Sequence, residues 1–113
     1  MATIYKVCKW TAWRAAGLGP FRGSRADERD GFIHFSTAPQ LAETVVKHFA
    51  GATGLVLLAV DADALGSALR WEPSRGGKLF PHLYAALPMT AVRWARPLAV
   101  GGDGRHIIPE LAP

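Results

Sequence analysis

The chain has 113 residues, half of them hydrophobic, which suits a single domain that buries roughly two thirds of its unfolded surface and excludes a disordered polypeptide. Thirteen Lys and Arg against nine Asp and Glu leave a net charge of +4, a balance that favours small anionic partners, while no basic run alternates with stacking aromatics, so nucleic acid is not indicated. The longest apolar run, Leu55 to Val60, is far below the ~20 residues of a membrane span, Lys6 and Lys9 break the stretch a signal peptide would need, and the lone Cys8 cannot close an internal disulfide, so a monomer in a bacterial-type cytoplasm is expected, with no membrane partner.

Thr3 to Cys8 reads as a first strand, with Tyr5 and Val7 on one face and Ile4, Lys6 and Cys8 on the other, which puts the Lys6 cation on an otherwise buried face. A short helix is predicted next, capped by Thr11 and stopped by Gly17, with Trp10, Trp13 and Ala16 at helical spacing as core residues. Gly17 to Asp30 reads as a turn-rich loop in which Asp27, Glu28 and Asp30 offset Arg22, Arg25 and Arg29.

Gly31 to Gln40 organises the rest. It reads as a strand running straight into a helix. Alternation puts Ile33 and Phe35 on one face and His34 and Ser36 on the other, an apolar face with a polar counter-face, as in a strand that lines a cleft. Thr37 and Gln40 have capping-box spacing and Pro39 falls in the first turn, so a helix starts there. Leu41, Ala42, Val45, Val46 and Phe49 form its apolar stripe, Glu43 and Lys47 an i,i+4 pair on the other side, His48 an ordinary surface residue and Gly51 the stop.

Leu55 to Val60 suits a strand buried on both faces at the middle of a sheet. Asp61 and Asp63 read as turn or cap residues. Ser67 to Glu72 alternates, Leu69 and Trp71 inward, Arg70 and Glu72 outward. After the Gly-containing loop Pro73 to Lys78, the segment Leu79 to Tyr84 puts His82 and Tyr84 on one face, and Pro81 assigns it to an edge or loop rather than a central ladder. Pro88 opens a last strand, Met89 to Ala95, and the tail packs through Ile107 and Ile108.

Two His, one Glu and three hydroxyls can act as general acid or base, as hydrogen bonders to a ligand, or as metal ligands. Neither a His-x-His nor a Cys-x-x-Cys pair occurs, so no metal site is expected. No Gly-x-Ser-x-Gly elbow supports Ser36 as a nucleophile, and Cys8 in an apolar strand reads as packing. His34 and His82 each lie on a polar strand face with no core to enter, so they are expected to meet and to border the main concavity.

Ile4-Tyr5, Trp13-x-x-Ala16, Gly31-Phe-Ile-His-Phe-Ser-Thr37, Phe80-Pro-His-Leu-Tyr84 and Ala91-Val92, in this order and spacing, resemble the bacterial family of the domain of unknown function 952 over nearly the whole chain. That family is grouped with the ADP-ribosyltransferase-like folds. The resemblance implies an α+β domain spanning residues 1–113, with a split, mainly antiparallel sheet and two main helices around an NAD-shaped cleft. Lys6 stands where the family has His, and Ala85 where it has Gly. In such enzymes a strand-borne Glu orients the ribose and stabilises an oxocarbenium-like centre, the role that falls to Glu72 here.

The expected function is therefore a cleft that binds a small anionic, nucleotide-like ligand through Lys6, His34, Ser36, His82 and Tyr84. Any catalysis, of the kind of NAD-related ADP-ribosyl transfer or hydrolysis, would run through Glu72, and no cofactor is specified. The alternative is a non-enzymatic binding or regulatory module that keeps the cleft without the chemistry.

Overall fold

The computed structural model describes residues 2–111. In chain order its elements are β1 (Thr3–Lys9), α1 (Trp10–Ala15), α2 (Arg25–Asp30), β2 (Ile33–His34), α3 (Ala38–Phe49), β3 (Leu55–Asp61), β4 (Leu69–Pro73), β5 (Leu79–Leu83) and β6 (Val92–Leu98), with short 3-10 turns ahead of β4, β5 and β6. The apolar run of β3 forms the middle of an antiparallel sheet ordered β1-β3-β6, and a second antiparallel sheet is ordered β2-β5-β4. The two sheets meet where Tyr5 and Ser36 exchange backbone hydrogen bonds, both 2.8 Å long.

Alternation along β3 builds two cores. Val56, Leu58 and Val60 point into one, with Ile4 and Cys8 of β1, Ile33, Phe35 and Leu83 from the second sheet, and Phe21. Leu55, Leu57 and Ala59 point into the other, with Tyr5, Val7 and Leu98, covered by Leu41 and Val45 of α3. Fully burying such side chains stabilises by about 1.5–3 kcal/mol each.

The capping box at Thr37 and Gln40 is formed, with Pro39 in the first turn. The stripe of α3 is narrower than the sequence reading: Ala38, Leu41, Val45 and Phe49 pack, whereas Val46 is 70% exposed. A step of one residue turns the helix by about 100°, so beside a buried Val45 the next position leaves the sheet.

Several other expectations are corrected. Helix α1 starts at Trp10 with Lys9 as its cap, ahead of Thr11, because β1 stays paired to Lys9 and the Trp10 N–H then donates to Gly54 O. Trp10 is consequently exposed, whereas Trp13, edge-on to Phe21, and Ala16 pack against the core as expected. The region read as loop contains α2, started by a Ser24/Asp27 capping box and ended by Gly31 at φ +85°, a left-handed cap suited to glycine.

Strand β5 is central rather than at an edge. Pro81 is tolerated there because its carbonyl, accepting from Phe35 N–H, faces the two-residue strand β2, so its missing donor lies where that ladder already ends. Trp71 is 44% exposed, since β4 is the edge strand and only its Leu69 end reaches the core. The last strand starts at Val92, after a 3-10 turn over Met89–Ala91. In the tail Ile108 packs while Ile107 is exposed, and His106 Nε2 pairs with Ala52 O at 2.7 Å.

Candidate functional site: a histidine pair on the polar face of the second sheet

Asp27 is the hub of the site. Its Oδ2 accepts from the Ser24 N–H and from Lys6 Nζ, both at 2.8 Å, and its Oδ1 accepts from Lys6 Nζ and the His34 N–H at 3.1 Å each. His34 Nδ1 adds a contact of 2.6 Å to the same Oδ1, and His34 Nε2 sits 2.9 Å from Asp30 Oδ2. Each ring nitrogen of His34 thus faces a carboxylate oxygen, Asp27 on one side and Asp30 on the other. The Asp27 side chain is 2% exposed and Lys6 5%. Burial pulls the Asp27 carboxyl upward, but the His34 hydrogen bond and the Lys6 ammonium outweigh it and hold the group well below the usual carboxylate range. Gly23 lets Asp27 sit here: a Cβ at Gly23 would come within 2.7 Å of the Asp27 side chain, and its φ of +94° disfavours other residues.

His34 and His82 are cross-strand partners of β2 and β5, with ring centroids 5.6 Å apart. Their expected meeting is thus realised. His82 Nδ1 lies 2.9 Å from Glu72 Oε1, and Tyr84 donates to the same oxygen at 2.7 Å. The Tyr84 hydrogen bond, then that of His82, holds the Glu72 carboxyl low, and the same bond pushes the Tyr84 phenol up. An ionised Glu72 only accepts, so it fixes the His82 proton on Nδ1. Phe32 lies over the group, 4.5 Å from His34, 4.1 Å from His82 and 5.2 Å from Tyr84 between ring centroids, and the Arg70 guanidinium stands 4.7 Å from the Tyr84 ring.

Of the residues named from sequence, His34, Glu72, His82 and Tyr84 come together here. Lys6 does not offer its ammonium to a cleft, because Asp27 and the His34 carbonyl (3.0 Å) take it. Ser36 lies farther along the same face, its Oγ 2.9 Å from Thr44 Oγ1. The histidines do not line the main concavity. Along β5, His82 lies between Tyr84, at a cavity of about 240 Å³ that also includes Phe32, and Phe80, at one of about 470 Å³, with His34 beside it on β2.

Asp27, Phe32 and Arg70 escaped the sequence reading as site residues. Asp27 carried a signal, the Ser-x-x-Asp spacing of a capping box, and Phe32 follows from period-two alternation with His34. Arg70 carried none. Among the described residues no group of three His, Cys, Asp or Glu side chains is arranged to hold a metal ion.

A small α+β domain of antiparallel sheets, with Gly-Phe-Ile-His on one strand and Phe-Pro-His-x-Tyr on its neighbour, defines the class. Residues 4–95 match the family described as Protein of unknown function (DUF952), and the chain belongs to it. The crystal structure of protein CC0527 from Caulobacter crescentus is similar to this chain with a TM-score of 0.88 and 46% identity, covering 93% of each chain. The solution NMR structure of CC0527 gives a TM-score of 0.81 and 47% identity, over 93% of this chain and 91% of that one. These neighbours fit the expected bacterial origin. Among curated proteins the chain has no match.

Proposed function

We propose that the polar face of the second sheet binds a small nucleotide-like ligand, with an aromatic ring against Phe32 and Tyr84 and ribose hydroxyls at Glu72, in the manner of the ADP-ribosyltransferase-like folds. The observation that carries this reading is the double anchoring of Glu72 Oε1 by His82 and Tyr84 beside an aromatic side chain. Both bonds fall on one oxygen, so Oε2 is left to accept from a ribose hydroxyl. If NAD is the ligand, the bond between ribose C1′ and nicotinamide breaks, nicotinamide leaves with the bonding electrons, and water or another nucleophile adds at C1′ and loses a proton. The Glu72 carboxylate, fixed in advance, stabilises the positive charge that develops on the ribose.

A second reading is a binding module without turnover. It is favoured by one specific observation: the first strand presents Lys6 to Asp27 and not to a ligand. Calorimetric titration with ADP-ribose and a nicotinamide-release assay with NAD separate the readings. Binding that Phe32→Ala weakens, together with release that Glu72→Gln slows by about 10²–10³-fold, supports the enzyme. Binding without release supports the module. Absence of binding overturns both.

A further inference from the structure

The cavity of about 470 Å³ carries an arrangement the histidine site leaves unused. Arg75 enters it from the loop after β4, held by a bond from Nη2 to Thr44 Oγ1 of 2.9 Å and by the Phe80 ring 4.9 Å from its guanidinium carbon. Its Nε and Nη1 are buried and find no hydrogen-bond acceptor among the described residues. The Glu43 carboxylate comes no nearer than 3.7 Å to Nε, an ion pair too long for a hydrogen bond, and stands at the same distance from Lys47 Nζ. With Lys78 also on the wall, three cations face one carboxylate. Buried guanidinium donors without an acceptor are costly in a folded protein unless a ligand supplies one.

The position matters as much as the charge. Ser36 follows His34, and Phe80 precedes His82, by two residues on the same strand faces, a step of ~7 Å along a strand. Ser36 Oγ, Thr44 Oγ1 and Arg75 Nη2 then form a continuous hydrogen-bonded line from the histidine strand to the cavity, in links of 2.9 Å each. His48, one turn beyond Thr44 on α3, is held below its ordinary pKa by burial first and then by the charges of Arg75, His34 and Lys47.

We infer that this cavity is the seat of a phosphate or diphosphate group, bound by Arg75, Lys47 and Lys78, with Glu43 swinging aside as the anion enters. The inference rests on the nucleotide reading for its place along one ligand, the ribose at Glu72 and the diphosphate at Arg75. Arg offers fork geometry and permanent charge for such an oxyanion.

Calorimetric titration with inorganic pyrophosphate, ADP-ribose and adenosine tests it, on wild type, Arg75→Met, Glu43→Gln and Phe32→Ala. Pyrophosphate is expected to bind wild type, to lose about tenfold or more in affinity with Arg75→Met, and to gain severalfold with Glu43→Gln. The Glu43→Gln gain keeps the test decisive if Arg75→Met folds poorly, because that change removes a competing anion and no donor. Pyrophosphate that fails to bind, or binds unchanged in both variants, overturns the assignment. ADP-ribose binding weakened by Phe32→Ala but untouched by Arg75→Met also overturns it while leaving the nucleotide reading standing. Pyrophosphate lost with Arg75→Met, while ADP-ribose binds no tighter and ignores Phe32→Ala, supports the phosphate seat and removes the nucleotide reading.

Discussion

Lys6 Nζ and Asp27 Oδ2 are 2.8 Å apart in the interior, joining the first strand to a helix that begins 19 residues later. Neither side chain reaches solvent to any extent, and each supplies the other's main counter-charge. The same carboxylate holds the backbone and ring of His34. Geometry at the histidine pair thus depends on a contact that no candidate ligand would touch.

Removing one partner of this pair leaves a buried charge uncompensated. Lys6→Met and Asp27→Asn should each destabilise by about 3–5 kcal/mol, whereas the two together should cost much less than the sum. Urea melts of the four proteins of that cycle measure the coupling. Additive losses would mean that the pair is not a unit.

Acid should unfold the protein through the same residue. The Asp27 carboxyl titrates lower in the folded chain than in the unfolded one, where it returns to about 3.9. Its contribution is therefore complete above that value, and as pH falls below about 4 the unfolded chain takes up a proton that the folded chain does not, so stability declines. Between about pH 5 and pH 3 the denaturation midpoint of wild type should drop more than that of Asp27→Asn. Parallel profiles would move the acid sensitivity elsewhere.

Phe35 and Val46 separate the core from the surface. Phe35 is buried between the sheets, so Phe35→Ala should cost about 3–5 kcal/mol through lost burial and a residual cavity. Val46→Ala, on the exposed side of α3, should stay within about 0.5 kcal/mol. Equal losses in thermal melts would place Val46 under a cover that the isolated chain lacks.

The Cys8 thiol should resist modification. Burial pushes its pKa up to about 11, which leaves about one thiolate per thousand at pH 8 behind a wall of apolar side chains. A disulfide reagent should label the chain only at the rate of unfolding, in step with urea concentration. Rapid stoichiometric labelling without denaturant would show that β1 opens locally.

What could be read along the chain was what neighbouring residues decide among themselves. The strand alternation of β1 and the Gly31–Ser36 stretch, the buried run of β3, the capping box at Thr37 and the shared faces of His34 with Ser36 and of His82 with Tyr84 all follow from a period of two or of 3.6 and from local hydrogen bonding. The approach of the two histidines is legible one step further on, because alternation gives each a polar face with no core to enter. The Ser24/Asp27 capping box is equally local, but the charge and glycine around it give the segment the composition of a loop.

Other features depend on partners distant in sequence. That Val46 faces water while Val45 does not depends on where the sheet lies, and Pro81 is admitted to a central strand only because β2 is two residues long. Lys6 looked like a group awaiting an anion, and the anion turned out to be Asp27, brought to it by the turn into α2. The pattern of side chains along a chain states which face is apolar. Which charge meets which is settled when desolvation forces each buried ion to find its counter-charge, and only the tertiary structure makes that choice.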